Sequence, residues 1–201
     1  ASGATLKMGA NGTGTITLDN SGLGSVLDLK QGSTFEGNLR NASAIKKWDN
    51  LSNIQGSFIN ASGASVGDLI AGEIRDNLLN EGEITNLTIN KNIGTLTNSG
   101  SMTALAVEGT INNGIANDNN GIINSLTIQN NSIITNGITN NSNIGSLNLQ
   151  ENVTYDGSGS ITNALDIANN NTLTANTNGI NILFANNATG TINNAGIISG
   201  S

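Results

Sequence analysis

The sequence predicts an all-β chain wound as a parallel β-solenoid, a stack of about ten coils of roughly 18–21 residues each. Three observations carry this expectation. One frame recurs along the 201 residues: an apolar residue, Asn, a gap, Gly or Ser, a gap, Ile, then Leu-x-Ile. Apolar and polar residues alternate within each copy, which is the two-residue period of strands. No stretch sustains an i, i+3, i+4 apolar pattern, and Gly and Asn interrupt every candidate helix.

The clearest copies begin at Asn80, Asn98, Asn119, Asn140, Gly157, Asn176 and Asn194, with looser ones at Asn20, Asn41 and Ser62. The copy at Asn98 shows the logic, running Leu96-Thr97-Asn98-Ser99-Gly100-Ser101-Met102 and then Leu105-Ala106-Val107. Ile, Val and Thr favour the pleated conformation, while Asn and Gly suit sharp corners. One copy is too small to bury its own apolar face and can bury it only against the next. Stacked at the ~4.8 Å strand spacing, ten coils make a rod of roughly 50 Å.

The frame defines columns. Four residues after the anchor come Ile45, Val66, Ile84, Met102, Ile123, Ile144, Ile161, Ile180 and Ile198. Seven after it come Leu27, Trp48, Leu69, Leu87, Leu105, Leu126, Leu147 and Leu183, with Leu165 slipped by one. These are the expected core ladders. The anchor Asn residues either form a hydrogen-bonded side-chain ladder or merely suit corners, and the two readings are compatible. Extra residues at Ala116–Asn119 and Asn136–Thr139 are expected in corners or small loops. Residues 1–201 read as one solenoid with a less regular segment at 30–75. The frame continues through that segment at Asn41 and Ser62, which favours coils over an excursion from the stack.

Composition excludes several functions. The net charge is −7 and the last basic residue is Lys91, so the C-terminal half offers no cation to a phosphate backbone. Nucleic acid is therefore not an expected partner, and anionic membrane surfaces are disfavoured. No apolar run approaches the ~20 residues of a membrane-spanning helix. Asn is close to a fifth of the residues, and Pro, Cys and His are absent. Small polar residues at Ala1 and a stop at Ser201 just past an Ile of the frame suggest a piece of something longer.

Without His or Cys, nucleophile–His–acid sites and zinc sites built on those ligands are impossible. Glycosidase chemistry needs two opposed carboxylates. Asp19, Asp28, Asp49, Asp68, Asp76, Glu73, Glu81 and Glu83 fall at different phases of the repeat, so nothing forces two together. Arg40, Lys46, Lys47 and Arg75 are the bases placed for a lyase, and none sits in a recognisable constellation. Asp118-Asn119-Asn120-Gly121 and Asp156-Gly157-Ser158-Gly159 lack the closing Glu of a calcium loop and read as corners. No catalytic residue, cofactor or metal is expected, and the chain is read as a non-enzyme. Asn-x-Ser/Thr acceptors are numerous, for example at Asn41, Asn60, Asn86, Asn140, Asn152, Asn170 and Asn187, at a density the composition explains. Thr-x-Thr steps fall at different phases, against an ice-binding face.

Ala44-Ile45-Lys46-Lys47-Trp48-Asp49-Asn50 is the most distinctive local segment. Lys46, Lys47 and Trp48 could contact a sugar or protein partner through stacking and cation–π attraction. Trp48 also falls on the Leu column, and the core reading is the stronger for it.

The Ile-Thr-Asn-x-Gly-x-Ile type of phrase resembles the passenger regions of bacterial type V autotransporters and filamentous adhesins. It is carried by Leu96–Met102, by Ile138-Thr139-Asn140-Asn141-Ser142-Asn143-Ile144 and by Ile192-Asn193-Asn194-Ala195-Gly196-Ile197-Ile198. It is a likeness of repeat and composition over nearly the whole chain, and no functional residue transfers with it. The resemblance implies a right-handed parallel β-helix, secreted and displayed on a Gram-negative outer membrane. The expected function is an adhesin or spacer module that meets a host-cell or matrix protein or glycan. The alternative is a subunit that assembles with copies of itself into a filament, sheath or surface layer. A polysaccharide-degrading β-helix enzyme is a disfavoured third.

Overall fold

The computed structural model describes residues 5–7, 15–18, 34–51, 53–176, 178–183 and 191–200, the side chains of 5–7, 15–18 and 49–51 excepted. They form a parallel β-solenoid of about seven turns, with strands and corners and no helix among them. Two sheets run the length of the stack, and all of their strand pairs are parallel. In a typical coil the strand Glu83–Ile89 lies in one sheet, and a short corner carries the chain to Asn92–Asn98 in the other. A second corner at Ser99-Gly100 leads to Ser101–Val107, stacked on Glu83–Ile89. The expected frame at Asn20 lies outside the described residues.

In the strands Ser65–Ala71, Glu83–Ile89, Ser101–Val107 and Ile122–Ile128 the inward positions alternate except for one step of two adjacent outward residues, and they supply the core. In Glu83–Ile89 the side chains of Ile84, Leu87 and Ile89 are buried, while Glu83, Thr85 and Asn86 face outward. Register turns these positions into columns. Ile45, Val66, Ile84, Met102, Ile123, Ile144 and Ile161 pair in succession, as do Trp48, Leu69, Leu87, Leu105, Leu126, Leu147 and Leu165. The slip at Leu165 is a register shift between Ile144 and Ser146, where Ser160–Ile167 takes one extra residue. The opposite sheet adds inward columns through Phe35, Ile54, Ile74 and Ile93 and through Leu39, Phe58, Leu78, Leu96, Ile115 and Ile138. Each such side chain, sealed by the coil above, contributes roughly 1.5–3 kcal/mol of burial.

The uniform phase also fails at the longer corners and in the last coil. The extra residues of the longer coils lie at Asp118–Gly121 and within 129–137, because Ala116 and Thr139 belong to the strands Ile115–Asn117 and Ile138–Asn140. In the last coil the strand is split. Asn181–Ile182 stacks on Ser160–Ile161, and Thr191–Asn194 stacks on Ala164–Ile167. Ile182 and Ile192 therefore take the column places expected for Ile180 and Leu183, and Leu183 is exposed. Ile198 stacks on Leu173 in the other sheet. Leu27 lies outside the described residues. The irregular segment is built of coils: Thr34–Glu36, Asn38–Asn41, Ala44–Leu51, Asn53–Ile54, Phe58–Asn60 and Ser65–Ala71 all join the two sheets.

Candidate functional site

The most organised polar feature is inside. Asn41, Asn60, Asn80, Asn98, Asn117 and Asn140 are fully buried at successive places in one column. Each Nδ2 donates to the Oδ1 of the next Asn at 2.8–2.9 Å. Its second hydrogen goes to a backbone carbonyl where the next coil enters its strand, as from Asn80 to Ser101 O and from Asn98 to Ile122 O. Both donors of each amide are thus used, which is what permits an uncharged polar row in an apolar core. The donors all point toward the C-terminal end.

Ladder intervals run from 18 to 23 residues, a wider range than the frame suggested. The members are Asn60 and Asn117 where the frame placed anchors at Ser62 and Asn119, both of which are exposed corner residues. Asn176 is exposed as well, and Asn194 pairs with Ile167 in the opposite sheet. The corners explain these shifts. After Asn60 and Asn117 the chain makes a longer turn before re-entering its strand, closed by Ala64 N–H to Ala61 O and by Gly121 N–H to Asp118 O.

The Gly or Ser two residues past the ladder has two bonding modes. At Gly82 and Gly100 the N–H bonds to the carbonyl of the ladder Asn one coil earlier. At Ser43 and Ser142 it turns to the Oδ1 of its own coil's Asn. Gly100 lies so close to the coil below that an added Cβ would stand 2.0 Å from Gly82 O.

The ladder ends at Tyr155, a role the sequence reading missed. In the next coil Gly157 occupies the Asn column, with φ 113° and room for no side chain against the Asn140 backbone. Tyr155 stacks on Ile138 in the neighbouring column, and its hydroxyl accepts the Asn140 Nδ2 hydrogen at 2.8 Å. Burial pushes its phenol pKa up, and the hydrogen bond from Asn140 opposes that shift. The signal was present as Tyr two residues before the Gly anchor, where the ladder coils carry Leu, Ile or Phe.

Burial divides the segment read as a candidate contact. Trp48 is only 9% exposed and meets Phe58 edge to face, with ring centroids 5.6 Å apart. Lys46 and Lys47 are exposed on the outer face, with Lys47 in register with Asp68. Asp68 in turn accepts Asn86 Nδ2 at 2.7 Å. The structure therefore gathers the two Lys residues but removes Trp48 from any surface shared with them.

The described carboxylates are dispersed, and no group of three or more among the described residues could hold a metal. Arg75 and Asp76 form an exposed two-bond pair that lowers the Asp76 pKa. Asp156 accepts Gly157 N–H at 2.8 Å and Asn178 Nδ2 at 2.9 Å, bonds that depress its pKa and make it a corner clasp. Among the acceptor sequons, Asn41, Asn60 and Asn140 are locked in the ladder, Asn86, Asn152 and Asn170 are exposed, and Asn187 lies outside the described residues. No helix among the described residues is long and apolar enough to cross a membrane. Comparison with protein-family models, curated proteins and solved structures finds no match. The class that fold and interior define is a parallel β-solenoid with an asparagine ladder.

Proposed function

We propose that this chain is a non-catalytic rod module of a secreted, cell-surface protein of the type V autotransporter or filamentous-adhesin kind. In that role it holds a binding surface away from a Gram-negative outer membrane. The observation that carries the reading is the parallel stack, locked from Asn41 to Asn140 by a ladder in which every coil is bonded to the next. A stack with each coil tied to its neighbours by backbone and side chain resists bending, as a spacer must. Short corners and an outward column running Ile70, Thr88, Ala106, Thr127 and Asn148 give it an exterior of mostly small or polar side chains, on which Ile122 and Ile133 are exposed. Such a face suits a host-cell or matrix protein or glycan. The test is binding of the purified chain to host cells and to arrays of matrix proteins and glycans. Saturable binding supports an adhesin, and binding to none of them leaves the spacer role alone.

A second reading is self-assembly into a filament or layer, because parallel coils that stack on one another through matching columns can stack in the same way on a coil of another copy. Electron microscopy of the concentrated chain separates the readings: filaments support assembly, and dispersed short particles oppose it.

A further inference from the structure

We propose that Asn113 is a site of spontaneous deamidation, singled out by the fold from the Asn–Gly pairs of the corners. Four such pairs lie among the described residues: Asn113–Gly114, Asn120–Gly121, Asn136–Gly137 and Asn178–Gly179. The reaction requires a side-chain amide able to swing onto the next backbone nitrogen. That nitrogen must also be free of a hydrogen bond, so that it can lose its proton. Glycine as the following residue leaves the approach open.

The fold restrains three of the pairs. Gly121 N–H is bonded to Asp118 O at 2.7 Å, and Gly179 N–H to Asn176 O at 2.9 Å. Asn178 is further tied through its Nδ2 to Asp156. Gly137 N–H bonds to Ile134 O at 3.3 Å, and Asn136 itself is held in the left-handed region with φ 64°. Asn113 differs on each count. Its side chain is exposed, and among the described hydrogen bonds none engages its carboxamide or the Gly114 N–H. The corner itself is fixed on both sides, by Asn113 N–H to Gly94 O at 2.8 Å and Ile115 N–H to Gly137 O at 3.0 Å. Neighbouring Asn112 is tied down through its Nδ2 to Ile93 O. The Asn113 side chain is thus the unbonded member of a held corner, beside a backbone nitrogen with no described hydrogen bond.

In the step itself the deprotonated Gly114 nitrogen bonds to Asn113 Cγ. The Cγ–Nδ2 bond breaks, and the amide nitrogen takes a proton from water and leaves as ammonia. Water then opens the cyclic imide at either carbonyl, giving aspartate or isoaspartate. Either product places a new carboxylate between the strands Thr110–Ile111 and Ile115–Asn117, and isoaspartate also lengthens the backbone just before the ladder member Asn117.

The test is timed incubation of the intact chain in mildly alkaline buffer, folded and in urea, with peptide mapping by mass spectrometry. The folded chain is expected to convert Asn113 several-fold faster than Asn120, Asn136 and Asn178, while in urea the four rates converge. Conversion of Asn113 no faster than the other three in the folded chain overturns the proposal. So does an unchanged order of rates in urea, which would assign the selectivity to local sequence. Asn113→Gln serves as the control, with the product expected to vanish from that peptide alone.

Discussion

Asn140 donates its Nδ2 hydrogen to the Tyr155 hydroxyl at 2.8 Å, so the asparagine ladder ends on a phenol borrowed from the adjacent column. A ladder that stopped at Gly157 without this partner would leave a buried amide hydrogen unsatisfied. Tyr155→Phe keeps the ring and removes the acceptor. It should cost about 1–2 kcal/mol, since the other Asn140 hydrogen retains Ser160 O. Urea unfolding followed by circular dichroism measures this.

Tyr155 is the only tyrosine, so phenolate absorbance reads this one group. Its pKa in the folded chain is raised by burial. The stability it contributes is fully present below the ordinary tyrosine value of about 10 and is lost as pH rises through the folded value. Phenolate should therefore form above that ordinary value, together with loss of structure. A titration at or below the ordinary value would contradict the buried cap.

Truncating a ladder member in mid-stack should be costly. Asn98→Ala strips a donor from Asn117 Oδ1 and from Ile122 O, and an acceptor from Asn80 Nδ2, for a loss of about 3 kcal/mol. Asn98→Asp is the sharper variant, because an ionised carboxylate would face the Asn117 and Ile122 oxygens. Protonation restores one donor, so this variant should gain stability as pH falls toward the carboxylate range. Thermal melts across pH check the sign.

The close approach of coils at Gly100 makes Gly100→Ala a severe change, costing roughly 1–3 kcal/mol or more through displacement of the Gly82 carbonyl. Ser99→Ala next to it loses only a 3.2 Å contact to Asp118 and should stay within about 0.5 kcal/mol. Comparable losses at the two positions would count against the stacking geometry.

Trp48→Ala should cost about 3–5 kcal/mol, as a buried aromatic in contact with Phe58. Lys46→Ala, on the exposed face, should change stability by no more than about 0.5 kcal/mol. If the outer face of this strand binds a partner, Lys46→Ala should weaken binding while leaving the melt unchanged.

What the sequence revealed and what it hid have physical causes. The Ile and Leu columns were legible because stacking repeats the same inward positions in every coil, and a residue out of phase would face solvent. The Asn column was harder to place. Corner Asn and ladder Asn occur within two residues of each other at Asn117 and Asn119, and only the length of the turn tells them apart. The last coil defeated the frame because a segment inserted inside its strand separates Ile182 from Ile192. Tyr155 went unread because its ring belongs to one column and its hydroxyl serves another.

Protection of the ladder amides against hydrogen exchange tests the central claim most directly. In a nitrogen-15 spectrum, the side-chain NH2 groups of Asn41, Asn60, Asn80, Asn98, Asn117 and Asn140 should exchange only when the stack opens, far more slowly than those of exposed Asn113 and Asn176. Six ladder amides that exchange as fast as these surface residues would contradict the account.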